Sequence, residues 1–218
     1  SPEPINDEAI IQSARNALVA PWMVITNSIE GQGFSSDLAH TILTNPEIQA
    51  TLINNIVAIM GNNQYAGLDI DFEYIYPGDR DNYTGFVRKI TEALHPLGYT
   101  VSVALAPKIR EDQQGLLYEA HDYGALAQIV DHIILMTYEW GYTYGPAQAV
   151  SPLDKMRQVL DYAVTVVPSQ KILMGMPNYG YDWTLPFVRG SAARPLSNAE
   201  AVNLARNVGA EIKFDETT

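Results

Sequence analysis

Short apolar runs alternating with stretches of helical period constrain this chain more than any other feature. The runs lie at Trp22–Thr26, Gly67–Glu73, Thr100–Ala106, Ile133–Tyr138 and Ile172–Met176. Between them, Leu52, Ile56 and Ile59 recur at helical spacing, as do Phe86, Ile90 and Leu94. Each set makes a stripe able to cover a sheet. Strand, helix, strand with crossovers this long requires parallel pairing, because antiparallel neighbours need only short turns. The fold class is therefore α/β.

Helix starts carry their own signals. Asn45 followed by Pro46 and Glu47 reads as an N-cap with proline in the first turn, and Ser151-Pro152-Leu153-Asp154 repeats that logic. Ser197 with Glu200 three residues later has capping-box spacing. A helix is expected over Asp7–Ala17, ahead of the first strand, and a short last strand at Glu211–Phe214. A closed eight-stranded barrel typically takes about 250 residues. With 218 residues and these few strands, a (β/α)8 TIM-barrel type fold would be present only in part, with segments missing upstream and downstream.

The most informative strand is Gly67-Leu68-Asp69-Ile70-Asp71-Phe72-Glu73. Alternation puts Leu68, Ile70 and Phe72 on one face and Asp69, Asp71 and Glu73 on the other. In a barrel the apolar face meets the helices and the acids point inward, where a carboxylate must be protonated, paired or hydrogen-bonded. Like charges and desolvation both favour the neutral acid, so one of the three can hold a proton near neutral pH. Glu73 is the natural holder, at the C-terminal end of the strand where barrel enzymes build their sites. Asp71 lies two residues deeper, about 7 Å along the strand, within reach of proton sharing with Asp69. Two other readings use the same residues: the solvent face of an edge strand, or a site for a hard cation such as Mg²⁺ or Ca²⁺.

Composition narrows the field. A net charge of −12 would repel a phosphate backbone, which argues against nucleic acid. No run approaches the roughly 20 apolar residues that span a bilayer, and no basic region followed by an apolar run marks a signal peptide. The chain has no cysteine, so thiolate chemistry is excluded. His40, His95, His121 and His132 fall on helical stretches, near a helix start or at the entry of a strand; no pair has metal-ligand spacing. No metal ligand set and no cofactor is assigned. No G-x-S-x-G elbow is present, and no glycine-rich loop follows a strand.

At the carboxylate strand the sequence resembles family 18 glycoside hydrolases, whose fourth barrel strand carries D-G-x-D-x-D-x-E. Gly67, Asp69, Asp71 and Glu73 match, with Ala66 in the first aspartate position. Met136-Thr137-Tyr138-Glu139 is similar to the sixth-strand M-x-Y-D, and Gly175-Met176-Pro177-Asn178-Tyr179-Gly180 to the seventh-strand G-x-P-x-Y-G. Trp22–Thr26 then corresponds to the third strand, with Ile25-Thr26-Asn27-Ser28 in place of the family's S-x-G-G. The resemblance implies one catalytic domain over 1–218, incomplete at both ends and holding about strands three to seven. Met136-Thr137-Tyr138-Glu139-Trp140-Gly141 and Pro177-Asn178-Tyr179-Gly180-Tyr181-Asp182-Trp183 most resemble the bacterial spore-germination branch, which cuts peptidoglycan and often carries LysM repeats.

The implied activity is substrate-assisted, retaining hydrolysis of an N-acetylglucosamine polymer. Peptidoglycan is the expected substrate, with chitin or a non-catalytic, lectin-like carbohydrate-binding role as alternatives. By the resemblance, Glu73 is the acid and Asp71 holds the acetamido group. Asp69 tunes Asp71, and Tyr138 donates to the acetamido oxygen. Glu139, Trp140, Asn178, Tyr179 and Tyr74 are the expected sugar contacts. The implied location is the spore or cell envelope, or secretion.

Overall fold

In the computed structural model, which describes residues 5–215, the apolar runs form one parallel sheet. Its strands are β1 (Trp22–Thr26), β4 (Gly67–Asp71), β5 (Thr100–Leu105), β6 (His132–Leu135) and β7 (Ile172–Met174), paired in that order. Two small antiparallel ribbons accompany it. One pairs β2 (Ser28–Ile29) with β3 (Gly33–Phe34), the other β8 (Tyr179–Asp182) with β9 (Arg194–Ser197). The helices are α1 (Glu8–Asn16), α2 (Ser36–Thr44), α3 (Pro46–Asn63), α4 (Arg80–Leu94), α5 (Tyr123–Ala127), α6 (Leu153–Val166) and α7 (Asn198–Val208). β1 and β7 are open edges, with Val24, Leu173 and Met174 exposed along them.

Capping follows the sequence at two helices. Asn45 Oδ1 accepts from the Glu47 and Ile48 amides at the start of α3, and Ser197 with Glu200 closes a full capping box on α7. Ser151 does not cap α6. Pro152 occupies that position, and the Ser151 hydroxyl instead donates to the Thr137 carbonyl. Glu211–Phe214 forms no strand; Gly209 ends α7 in the left-handed conformation and the chain runs on exposed.

Leu68, Ile70 and Phe72 are buried together with Phe86, Ile90 and Leu94 of α4 in the main core. Phe72 packs against Phe86 at 5.7 Å and Tyr83 at 6.0 Å between ring centroids. Replacing Phe72 by alanine at such a site costs about 3–5 kcal/mol. Gly67 is required by close approach: a Cβ there would lie 2.6 Å from the Trp22 ring and 2.9 Å from the Thr100 carbonyl.

The strands stop earlier than the apolar pattern does. β4 ends at Asp71 rather than Glu73, β5 at Leu105 rather than Ala106, β6 at Leu135 rather than Tyr138, and β7 at Met174 rather than Met176. β6 shows the cause. The Thr137 and Tyr138 amides turn back onto the Leu135 and Met136 carbonyls and leave the ladder. The parallel ends of the strands thus open into irregular backbone, and Glu73, Tyr138 and Glu139 all sit on it.

Candidate active site

On β4 the two aspartates differ in how they are satisfied. Asp69 is buried and accepts a hydrogen bond from the hydroxyl of Ser102, its ladder neighbour on β5. Asp71 is half-buried, and its buried Oδ1 takes no hydrogen bond among the described residues. An unmatched acceptor at such a place is costly unless something else supplies the donor.

Protonation follows burial. Desolvation, opposed by the Ser102 hydrogen bond, raises Asp69. Desolvation and the adjacent Asp69 push Asp71 up to about 6. Desolvation and the adjacent Asp71 push Glu73 up to about 7. Within this row Glu73 is pushed higher than Asp71.

Tyr138 stands across from this row at the end of β6. Its phenol is raised by burial and then by Asp71, Glu73, Asp69 and Glu139, so it stays a hydrogen-bond donor. Gly175 makes room for the ring: a Cβ would lie 2.6 Å from Tyr138 Cε1. Thr137 pins the turn by donating its hydroxyl to the Gly175 carbonyl at 2.7 Å.

The residues directly after Glu73 and Tyr138 both adopt left-handed backbone, Tyr74 at φ 53° and Glu139 at φ 66°. For non-glycine residues this costs of order 1 kcal/mol each and clusters at functional sites. Glu139 is anchored on its far side, where Tyr179 and Tyr181 donate to its Oε1 at 2.5 and 2.8 Å. Asn178, Tyr179 and Tyr181 line an open cleft of about 520 Å³ with Glu139 and with Pro195, Leu196 and Ser197 of β9. Its lining contains none of the β4 carboxylates.

The aromatic residues around these strand ends divide by packing. Tyr74 is exposed beside Phe34, at 6.2 Å between centroids. Trp140 is partly buried against the core, whereas Tyr142 and Tyr144 are exposed. Trp183 donates to the Gly145 carbonyl at 3.0 Å and fastens that loop. Tyr76 is tied to Asp37 at 2.7 Å. Ser102 and Tyr181 were not singled out from sequence. Ser102 shows its role only through strand register, while Tyr181 follows Tyr179 at the period of a strand and could have been found that way.

The sequence matches the family described as Glycosyl hydrolases family 18 over residues 13–218. The chain belongs to glycosyl hydrolases family 18. The cortical fragment-lytic enzyme of Bacillus subtilis (strain 168) is 43% identical over 218 residues, which is 100% of this chain and 50% of that protein. The structure of the Bacillus cereus spore cortex-lytic enzyme SleL superposes with a TM-score of 0.92 at 41% identity, covering 98% of this chain and 49% of that one. A chitinase from Chromobacterium violaceum superposes at 0.86 with 28% identity, over 99% of this chain and 66% of that one. The chain spans about half the length of the curated relatives it matches. Its open parallel sheet with flanking helices is part of the family 18 TIM barrel.

Proposed function

We propose that this chain supplies the catalytic carboxylates of a retaining glycosidase that cleaves N-acetylglucosamine-containing peptidoglycan of the spore cortex by substrate-assisted catalysis. The observation that supports it most is the pairing of Glu73, pushed up to about 7, with Asp71, whose buried Oδ1 takes no donor among the described residues. A 2-acetamido N–H is the donor that fits. The cortex is favoured over chitin because relatives named as cortical fragment-lytic enzymes are 41–43% identical, against 28% for the Chromobacterium violaceum chitinase.

Glu73 gives its proton to the leaving glycosidic oxygen as the bond to the anomeric carbon breaks. The acetamido oxygen of the same sugar attacks that carbon from the opposite face. Asp71 accepts the acetamide N–H and stabilises the cationic oxazolinium as its charge develops, and Tyr138 donates to the acetamido oxygen. Glu73, now ionised, takes a proton from the incoming water, which opens the ring with retention. Asp69, fixed by Ser102, adds to the rise in the proton affinity of Asp71 that burial causes. Glu139, Asn178, Tyr179 and Tyr74 contact neighbouring sugars, with Trp140 supporting them from the core side.

The protein acts at the spore or cell envelope on a polysaccharide partner, and LysM repeats of the kind common in this branch would lie outside these 218 residues. Among the described residues no helix is long and apolar enough to cross a membrane. The test is digestion of purified cortex peptidoglycan and of chitin by the full-length protein, with mass analysis of the released ends. New N-acetylglucosamine reducing ends from cortex are expected, and none from a Glu73→Gln variant. Wild-type-like products from that variant would remove Glu73 from its role.

A further inference from the structure

The sheet stops short of Glu73. The last ladder pair of β4 is Thr26 with Asp71 on the β1 side and Ile70 with Val103 on the β5 side. β5 gives out ahead of Pro107, which has no N–H with which to extend it. A general acid needs its carboxyl held to within about 0.5 Å. Here the backbone that carries it has no strand on either side.

Two buried side chains occupy those places. Asn27, fully buried just beyond β1, accepts the Glu73 N–H on Oδ1 at 2.9 Å. Its Nδ2 donates to the Glu73 carbonyl at 2.8 Å and to the Ser35 carbonyl at 3.0 Å. On the other side, the buried His121 donates from Nε2 to the Phe72 carbonyl at 2.9 Å, and its Nδ1 accepts the Ala106 amide at 2.9 Å. An amide N–H can only donate, so Nδ1 is unprotonated and the proton lies on Nε2. Burial lowers this ring to about 4, which keeps it neutral through the working range.

The Phe72 carbonyl and the Glu73 N–H belong to one peptide unit. That unit is therefore gripped at both ends, by His121 from the β5 side and by Asn27 from the β1 side. Asn27 also holds the carbonyl of the next unit. Lys108 reinforces the β5 side, donating from its buried Nζ to the His121 carbonyl at 3.1 Å.

We propose that Asn27 and His121 are positioning residues for Glu73, replacing the missing ladder bonds so that its carboxyl stays at a fixed depth beside Asp71. This rests on the reading of Glu73 as the general acid. The experiment uses the full-length protein with Asn27→Ala, His121→Leu and His121→Gln, the last keeping a donor toward the Phe72 carbonyl. Two readouts are taken well below melting: kcat and KM on cortex glycan, and the titration of Glu73 by carboxyl ¹³C NMR, assigned with Glu73→Gln. Asn27→Ala and His121→Leu should lower kcat by about 10²-fold with KM little changed, the effect of a displaced reacting group. The Glu73 midpoint should fall from about 7 toward 4.5 as the loosened carboxyl reaches water. His121→Gln should restore most of both. Lower melting temperatures with unchanged kcat and unmoved Glu73 titration would overturn the proposal and leave these residues a purely structural role. If Asn27→Ala does not fold, the Leu and Gln variants at His121 decide between the two. Activity surviving in Glu73→Gln would sink the reading of Glu73 as the general acid instead, and the NMR titration would still report on positioning.

Discussion

Removing the charge of Glu73 should stabilise the protein at neutral and alkaline pH and do nothing in acid. Its folded-state pKa of about 7 lies above the ordinary 4.5, with burial as the main cause and Asp71 as the second. A group raised in this way contributes its full stability below pH 4.5 and loses it as pH rises through about 7. The gap between the two values sets an upper limit of about 3 kcal/mol on that loss. The side chain is only half-buried, so solvent screening reduces the figure to about 1–2 kcal/mol. Glu73→Gln keeps the shape and is neutral at every pH. For a chain of this size 1 kcal/mol corresponds to about 2–4 °C, so the variant should melt about 2–8 °C higher than wild type near pH 8. Thermal melts of both proteins between about pH 4 and 8 would read this directly, and the two curves should converge at the acid end. Curves separated by a constant offset at every pH would refute the claim that Glu73 is a strained, proton-holding acid.

Hydrolysis of cortex glycan should fall as pH rises through about 7, because Glu73 must carry its proton to act; a pH–rate profile of kcat/KM flat to pH 9 would contradict this. Thorough chelation should leave activity intact, since neither the acid nor the acetamido nucleophile calls for a metal. Loss on chelation with recovery on adding Mg²⁺ or Ca²⁺ would favour a cation held by the β4 acids.

Much of this was legible in the sequence because period alone carries it. The two-residue alternation from Leu68 to Glu73 placed the acids opposite the apolar face, and Asn45-Pro46 marked the start of α3. Strand ends were less legible. Apolar residues such as Phe72 continue past the last ladder pairs, and hydropathy does not record hydrogen bonding. The Ser151 assignment failed for a similar reason: a hydroxyl ahead of a proline looks like a cap, but a nearer acceptor at Thr137 takes it. Least legible were Ser102, Asn27 and His121, which act on residues 33, 46 and 49 positions away. Their meaning depends on which strand end lies opposite, and only the folded sheet fixes that.

The central claim, that the substrate's own acetamido group is the nucleophile, is tested most directly by comparing turnover of N-acetylated and de-N-acetylated forms of one defined glycan by the full-length protein. Asp71 is the last residue of β4 and Glu73 follows it two positions on, whereas a protein nucleophile would need a second carboxylate about 5–5.5 Å from the acid across the scissile bond. The account predicts that the de-N-acetylated glycan binds but is hardly cleaved, while the N-acetylated one is hydrolysed with retention. Comparable turnover of both, with a sugar trapped covalently on an aspartate or glutamate, would contradict it.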